Sequence, residues 1–173
     1  MQITIRKIIL DDIFVLSRIA RQSFYDTFTG TCTEEDMQGF LDTYFSEEKL
    51  SAEVTEEGNH YLFAEADGKP VAYIQFMEDY QSLPLMKQWK ALELKRIYVL
   101  KEYLGLKIAQ QLMDHLMLFA QDNQYEVVWL GVWENNLRAQ QFYSKYGFVF
   151  SGHTHEFPIG NTPQTDHWLW KFL

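Results

Sequence analysis

The chain predicts a single α/β (α+β) domain over residues 1–173, with about seven strands flanked by helices. Three observations carry this. Segments of period-2 alternation recur among segments of 3.6-residue periodicity along the whole length, so strands and helices share one unit. At 173 residues, with 47% hydrophobic and 16% aromatic side chains, the chain can bury roughly two-thirds of its unfolded surface in one core. No repeat, linker or low-complexity tract divides it.

The elements follow in order. Ile3-Thr4-Ile5-Arg6 alternates as a strand, and Asp11 or Asp12 can cap the helix that follows, whose Ile13, Leu16, Ala20 and Phe24 share a face. After the loop around Thr29-Gly30-Thr31, Thr33 opens a second helix that carries Met37, Phe40, Leu41 and Tyr44. Ser46, with Glu47 and Glu48, starts a short third helix ending near Gly58. Strands 61–65 and 71–76 flank Asp67-Gly68-Lys69, a hairpin signal. Residues 78–90 are irregular and interrupted by Pro84. Two strand–loop–helix units come next. One runs from Leu92 to Val99, through Leu104–Ala109 and on to Phe119. The other runs from Val127 to Val132 and then from Glu134 to Phe148. Strand 148–157, a turn at Pro158-Ile159-Gly160-Asn161 and a strand near 165–172 close the chain. Trp168, Trp170 and Phe172 share one face of that last strand, which can form a dimer edge.

Composition narrows the function. A net charge of −9 argues against a nucleic-acid binder, which presents a basic face, and suits cationic partners. Cys32 is the one cysteine, so no intramolecular disulfide forms, and it reads as a small loop side chain. Arg6, Lys7, Asp11 and Asp12 interrupt any leader-like apolar stretch, and no run approaches the ~20 apolar residues of a membrane span. The expected location is cytoplasmic, without membrane association.

The two strand–loop–helix units carry the chemistry. A strand that feeds a short loop and a helix N-terminus presents free N–H groups to phosphate. Leu104-Gly105-Leu106-Lys107-Ile108-Ala109 contains no proline, so all six amides can donate. It holds one glycine, and by itself it reads as an ordinary βα turn before it reads as a phosphate site. Lys101, Lys107, Arg138 and Lys145 gather in these units of an acidic chain, as an anion site requires. In the second unit, Asn135 or Asn136 can cap a helix, and Tyr143 lies seven and four positions after Asn136 and Ala139. Tyr143 reads either as core or as a phenol that handles a proton.

Taken together, Glu93-Leu94-Lys95-Arg96-Ile97-Tyr98-Val99, the 104–109 loop and Glu134-Asn135-Asn136-Leu137-Arg138-Ala139-Gln140-Gln141-Phe142-Tyr143-Ser144-Lys145-Tyr146-Gly147-Phe148 resemble the GNAT superfamily of N-acetyltransferases. A looser likeness of Phe24-Tyr25-Asp26-Thr27-Phe28 and Gln164-Thr165-Asp166 points toward the bacterial spermidine/spermine branch. The resemblance implies a mixed, mostly antiparallel twisted sheet, acetyl-CoA as the donor, no metal, and direct transfer to a primary amine. It places Ile97, Tyr98 and Val99 along the pantetheine arm, and the backbone of Leu104, Gly105, Leu106, Lys107, Ile108 and Ala109 around the pyrophosphate. Asn136 and Lys145 fall among the coenzyme contacts. Tyr143 takes the general-acid position and Glu93 the position of a general base. Leu104 replaces the family's glutamine or arginine, and Lys107 replaces its first signature glycine.

Amide formation from a thioester needs a neutral amine, stabilisation of the oxyanion and a proton for the leaving thiolate. An alkylamine near pKa ~10.4 arrives charged, so a base is required. Glu93 serves as that base or is a solvent-facing strand residue, and a water relay to another carboxylate serves equally. His60 and His115 read as structural or exposed, and His153, His155 and His167 gather on the closing strands without implying a metal. The expected acceptor is a small cationic, polyamine-like amine. The alternatives are a protein N-terminus, a peptide lysine or an aminoglycoside-type amine; a non-catalytic acyl-CoA sensor; or a protein that binds no coenzyme.

Overall fold

The computed structural model describes residues 1–173. Strands β1 (Ile3–Lys7), β2 (His60–Ala66), β3 (Lys69–Met77), β4 (Ala91–Val99), β5 (Val127–Trp133), β6 (Val149–Glu156) and β7 (Thr165–Phe172) form one sheet in the order β1-β2-β3-β4-β5-β7-β6. Helices α1 (Ile13–Phe28), α2 (Glu34–Tyr44) and α3 (Glu47–Thr55) cover one face, and α4 (Ile108–Asp122) and α5 (Leu137–Lys145) the other. Every neighbouring pair is antiparallel except β4 and β5. The expected seven-stranded mixed sheet is therefore present.

Local sequence accounts for most boundaries. Asp67 and Gly68 both have positive φ, as a two-residue hairpin turn between β2 and β3 requires. Thr33 and Ser46 cap α2 and α3 by accepting from the amides of Asp36 and Lys49. Asp12 does precede α1, but its carboxylate does not cap that helix. Arg6 holds it through two bonds of 2.7 and 2.9 Å, and the amide of Ile9 donates to it at 3.0 Å. A bidentate charge-assisted pair outcompetes a neutral helix amide for the same oxygens.

Tyr44 is exposed, with its ring tilted against Phe40 at 4.4 Å and bordering a cavity. One departure concerns the surface. The aromatic strand β7 is not an edge. It lies between β5 and β6, and β6 is the edge strand. Trp168, Trp170 and Phe172 do share a face, where Trp168 meets Trp129 at 5.1 Å and Phe172 meets Trp89 at 5.1 Å.

The feature that shapes the site is the β4–β5 junction. These strands pair only at Ala91–Val127, Leu92–Val128 and Glu93–Trp129. Beyond Glu93, β4 follows β3 while β5 stays with β7, so the sheet splits and opens a cleft. A β-bulge at Lys95 sharpens the divergence, since Gln75 pairs with Arg96 and Phe76 with Leu94. The bulge puts Glu93, Lys95, Arg96 and Tyr98 on one side of β4, leaving Leu92, Leu94, Ile97 and Val99 to pack beneath α4.

Candidate active site

The cleft holds a cavity of about 710 Å³. Its β4 wall presents Ile97, Tyr98 and Val99, and past Glu93 the β5-facing edge of that wall has no strand partner. Such an edge accepts an extended ligand by backbone hydrogen bonding.

At one end lies the 104–109 loop. The amides of Gly105 through Gln110 have no acceptor within the chain, whereas Leu104 donates to Lys101 at 3.2 Å. Five of the six expected loop donors are thus free, and the Gln110 amide joins them. They lie at the positive end of a fifteen-residue helix. Gly105 (φ 86°) and Lys107 (φ 61°) are both left-handed. The turn needs that geometry at position 107, and a lysine adopts it at a cost of about 1 kcal/mol. Lys107→Gly is expected to raise stability by up to about 1 kcal/mol in urea unfolding, and Lys107→Val to lower it. Ile108 turns its side chain into the core and offers only its amide, while Leu104 and Ala109 line the cavity.

Asn136 and Tyr143 come from the opposite wall. The Asn136 carboxamide oxygen caps α5 by accepting from the Ala139 amide at 3.1 Å, and the residue also borders the cavity. Tyr143 is fixed by the end of the helix. Phe148 donates to the Tyr143 carbonyl at 3.2 Å and Gly147 to Ser144 at 2.9 Å, with Gly147 at φ 83°. This is a Schellman closure, and its usual apolar contact is the Tyr143–Phe148 ring pair at 6.0 Å. The ring is buried at the cleft wall. Burial, and then the neighbouring Tyr98 and Asp166, push its phenol well above the ordinary range, so it remains a donor. Lys145 is exposed at the far end of α5 and does not line the cavity; Arg138 and Lys101 do.

Glu93 sits where β4 and β5 part, buried and lining the cavity. The solvent-facing alternative is thereby corrected: the splayed strands enclose its carboxyl. Burial pushes the carboxyl up to about 7, against the pull of Lys95, whose ammonium lies 3.1 Å from Oε2. Lys95 also donates to Asp79 at 2.7 Å. Burial raises Asp79 too, but the Lys95 ammonium and the Gln81 amide outweigh it and hold that carboxyl well below its ordinary range.

Sequence reasoning missed Lys95, Arg96, Asp79 and the role of Asp166. Arg96 donates to Glu53 and Tyr61, both at 2.8 Å, and lies over the Phe45 ring, tying α3 and β2 to the bulge. The signal was there in Glu93-Leu94-Lys95-Arg96, where two adjacent charges break a period-2 pattern, as a bulge does. No group of three or more histidine, cysteine, aspartate or glutamate side chains is placed to hold a metal ion. His155 instead stacks on Trp168 at 5.0 Å and His167 meets Phe150 at 4.9 Å.

A family model described as acetyltransferase (GNAT) matches residues 20–148. The chain belongs to the GNAT acetyltransferase family. It is an acetyltransferase, and its donor is acetyl-CoA. An uncharacterised N-acetyltransferase of Lactobacillus delbrueckii subsp. lactis is 34% identical over 157 residues, covering 90% of this chain and 88% of that protein. A spermidine N(1)-acetyltransferase of Thermoplasma acidophilum is 29% identical over 152 residues, covering 86% and 89%. The fold matches PaiA N-acetyltransferase of Thermoplasma acidophilum, solved with coenzyme A, at a TM-score of 0.82 and 24% identity over the full length of both chains. No helix of this GNAT protein is long and apolar enough to cross a membrane.

Proposed function

We propose that this GNAT enzyme acetylates a small cationic amine of polyamine type by direct attack, with Tyr143 as the acid and Glu93 as the base. The observation that carries the proposal is the cleft itself. One buried phenol and one buried carboxyl near neutrality, on its two walls, line a single cavity.

Acetyl-CoA supplies an acetyl group activated as a thioester. The free amides of residues 105–110 suit its pyrophosphate, with Lys101 and Arg138 as the nearby cations of the lining. The unpaired edge at Ile97, Tyr98 and Val99 suits an extended arm. Glu93, deprotonated above about 7, takes the amine proton directly or through water. Tyr143 donates a hydrogen bond to the sulfur as charge develops. A phenol held far above ~10 gives up its proton to a thiolate of ~8.5 only at a cost, so Tyr143 acts as a hydrogen-bonding acid, and the thiolate leaves as the anion and takes its proton from water.

The carboxylates Asp26, Glu93 and Asp166 and the rings of Phe24, Phe28 and Phe40 line the cavity and suit an alkylammonium acceptor. The spermidine-acetylating relative supports the same class. An amine panel monitored for free thiol tests the reading. Turnover with diamines and polyamines above peptide and aminoglycoside amines is expected. Coenzyme binding with no thiol release from any amine would instead make the protein a sensor.

A further inference from the structure

Asp166 is the carboxylate in the cleft that nothing in the protein satisfies. It is the second residue of β7, facing Trp133 of β5 and His155 of β6 in register, and it lies beyond residue 148, where the family match ends. Its Oδ1 is fully buried and accepts no hydrogen bond. Of the cations in the lining, Lys95 is committed to Asp79 and Glu93 and Arg96 to Glu53, and neither Lys101 nor Arg138 forms an ion pair with Asp166. The titratable groups that feel its charge are the phenols of Tyr98 and Tyr143, both of which stay protonated.

The carboxylate also lies close over Gly131. A Cβ on Gly131 would lie 3.2 Å from Asp166 Oδ2 and 2.8 Å from the Trp168 ring, so a side chain at position 131 would displace both. Gly131, Trp168 and Asp166 all line the cavity, with both side chains close over Gly131. Burial alone pushes the Asp166 carboxyl up to about 6, so at neutral pH the ion persists at a cost to the fold. A buried, unpartnered polar group calls for an explanation, and a ligand of opposite charge supplies one.

We propose that Asp166, beside Trp168 above Gly131, anchors the second, non-reacting ammonium of a diamine or oligoamine acceptor. The reacting nitrogen must be neutral to attack, so a nitrogen that keeps its charge against a carboxylate is the other one. This inference rests on the amine-acceptor reading above and deepens it, making Asp166 a specificity residue distinct from the Glu93 base.

The test compares diaminobutane with pentylamine, its isostere bearing methyl in place of one ammonium, in the wild-type enzyme and in Asp166→Asn at pH 8. The wild type is expected to prefer the diamine in kcat/KM by about 30-fold, mostly through KM, and Asp166→Asn to bring the preference near unity. Asp166→Glu should restore part of it. The free Asp166→Asn protein should also melt higher than wild type at pH 8. The folded-state pKa is raised, so the stability of the protonated form is lost as pH rises through about 6, and the gain of the variant should fade toward pH 4. An equal loss for both amines would assign Asp166 to the chemistry and overturn the proposal. So would an unchanged preference, or a wild type that acetylates both amines alike. If no amine releases thiol, the amine-acceptor reading is what fails. Calorimetry of diaminobutane with the coenzyme-A-loaded protein then decides about Asp166, with binding weakened at least tenfold in Asp166→Asn upholding the anchor and no wild-type binding refuting it.

Discussion

Tyr143→Phe is expected to lower kcat by about 10²- to 10³-fold while leaving the dissociation constant of coenzyme A within about twofold. The variant keeps the ring, its 6.0 Å contact with Phe148 and the Schellman closure of α5, because all of these depend on apolar surface and backbone. Only the hydroxyl is lost. The phenol is buried beside Tyr98 and Asp166 and held protonated, so its contribution is concentrated where negative charge appears on sulfur and is slight in the ground state. Single-turnover kinetics should place the loss in the chemical step. Unchanged turnover would return Tyr143 to the core and leave the departing thiolate without a hydrogen-bond donor from α5.

The second large effect concerns Glu93. Glu93→Gln is expected to reduce kcat/KM by about 10²-fold and to remove the rise in rate expected of the wild type as pH increases through about 7. The direction follows from the role, since a base works when deprotonated. Stability moves the opposite way. The folded-state pKa lies above the unfolded one, so the stability contributed by the protonated form is complete below about 4.5 and lost as pH rises through about 7. A pH–rate profile that keeps its limb in Glu93→Gln would move the base to another carboxylate. Rate and stability must be measured together, because Lys95 loses one of its two carboxylate partners in this variant.

The chain itself announces much of this. Thr33, Ser46, Asn136 and the Asp67-Gly68 pair act through groups within a few residues, so their caps and turn are readable from order alone. The same holds for Tyr143, whose frame is set by Gly147 and Phe148 just downstream. Asp12 misled because its partner Arg6 lies across a turn on another element, and a charge-assisted bond outweighs the local amide. Lys145, which the resemblance placed among the coenzyme contacts, is exposed and outside the cavity lining, although Tyr143 two residues before it lines the cavity, because which side of α5 meets the cleft depends on packing against distant strands.

What order and residue type determined by themselves was the element sequence, the helix N-terminus after Lys107 and the phenol on α5, since each arises from bonds between near neighbours. What only the tertiary structure decided was the cleft. It exists because β4 leaves β5 after Glu93, and that divergence depends on pairings with β3 and β7 from distant parts of the chain. The same long-range packing buries Glu93 and Asp166, and low polarity rather than residue type brings the two carboxyls to about 7 and about 6. A sequence records which groups can titrate; only the assembled walls determine at what pH they do.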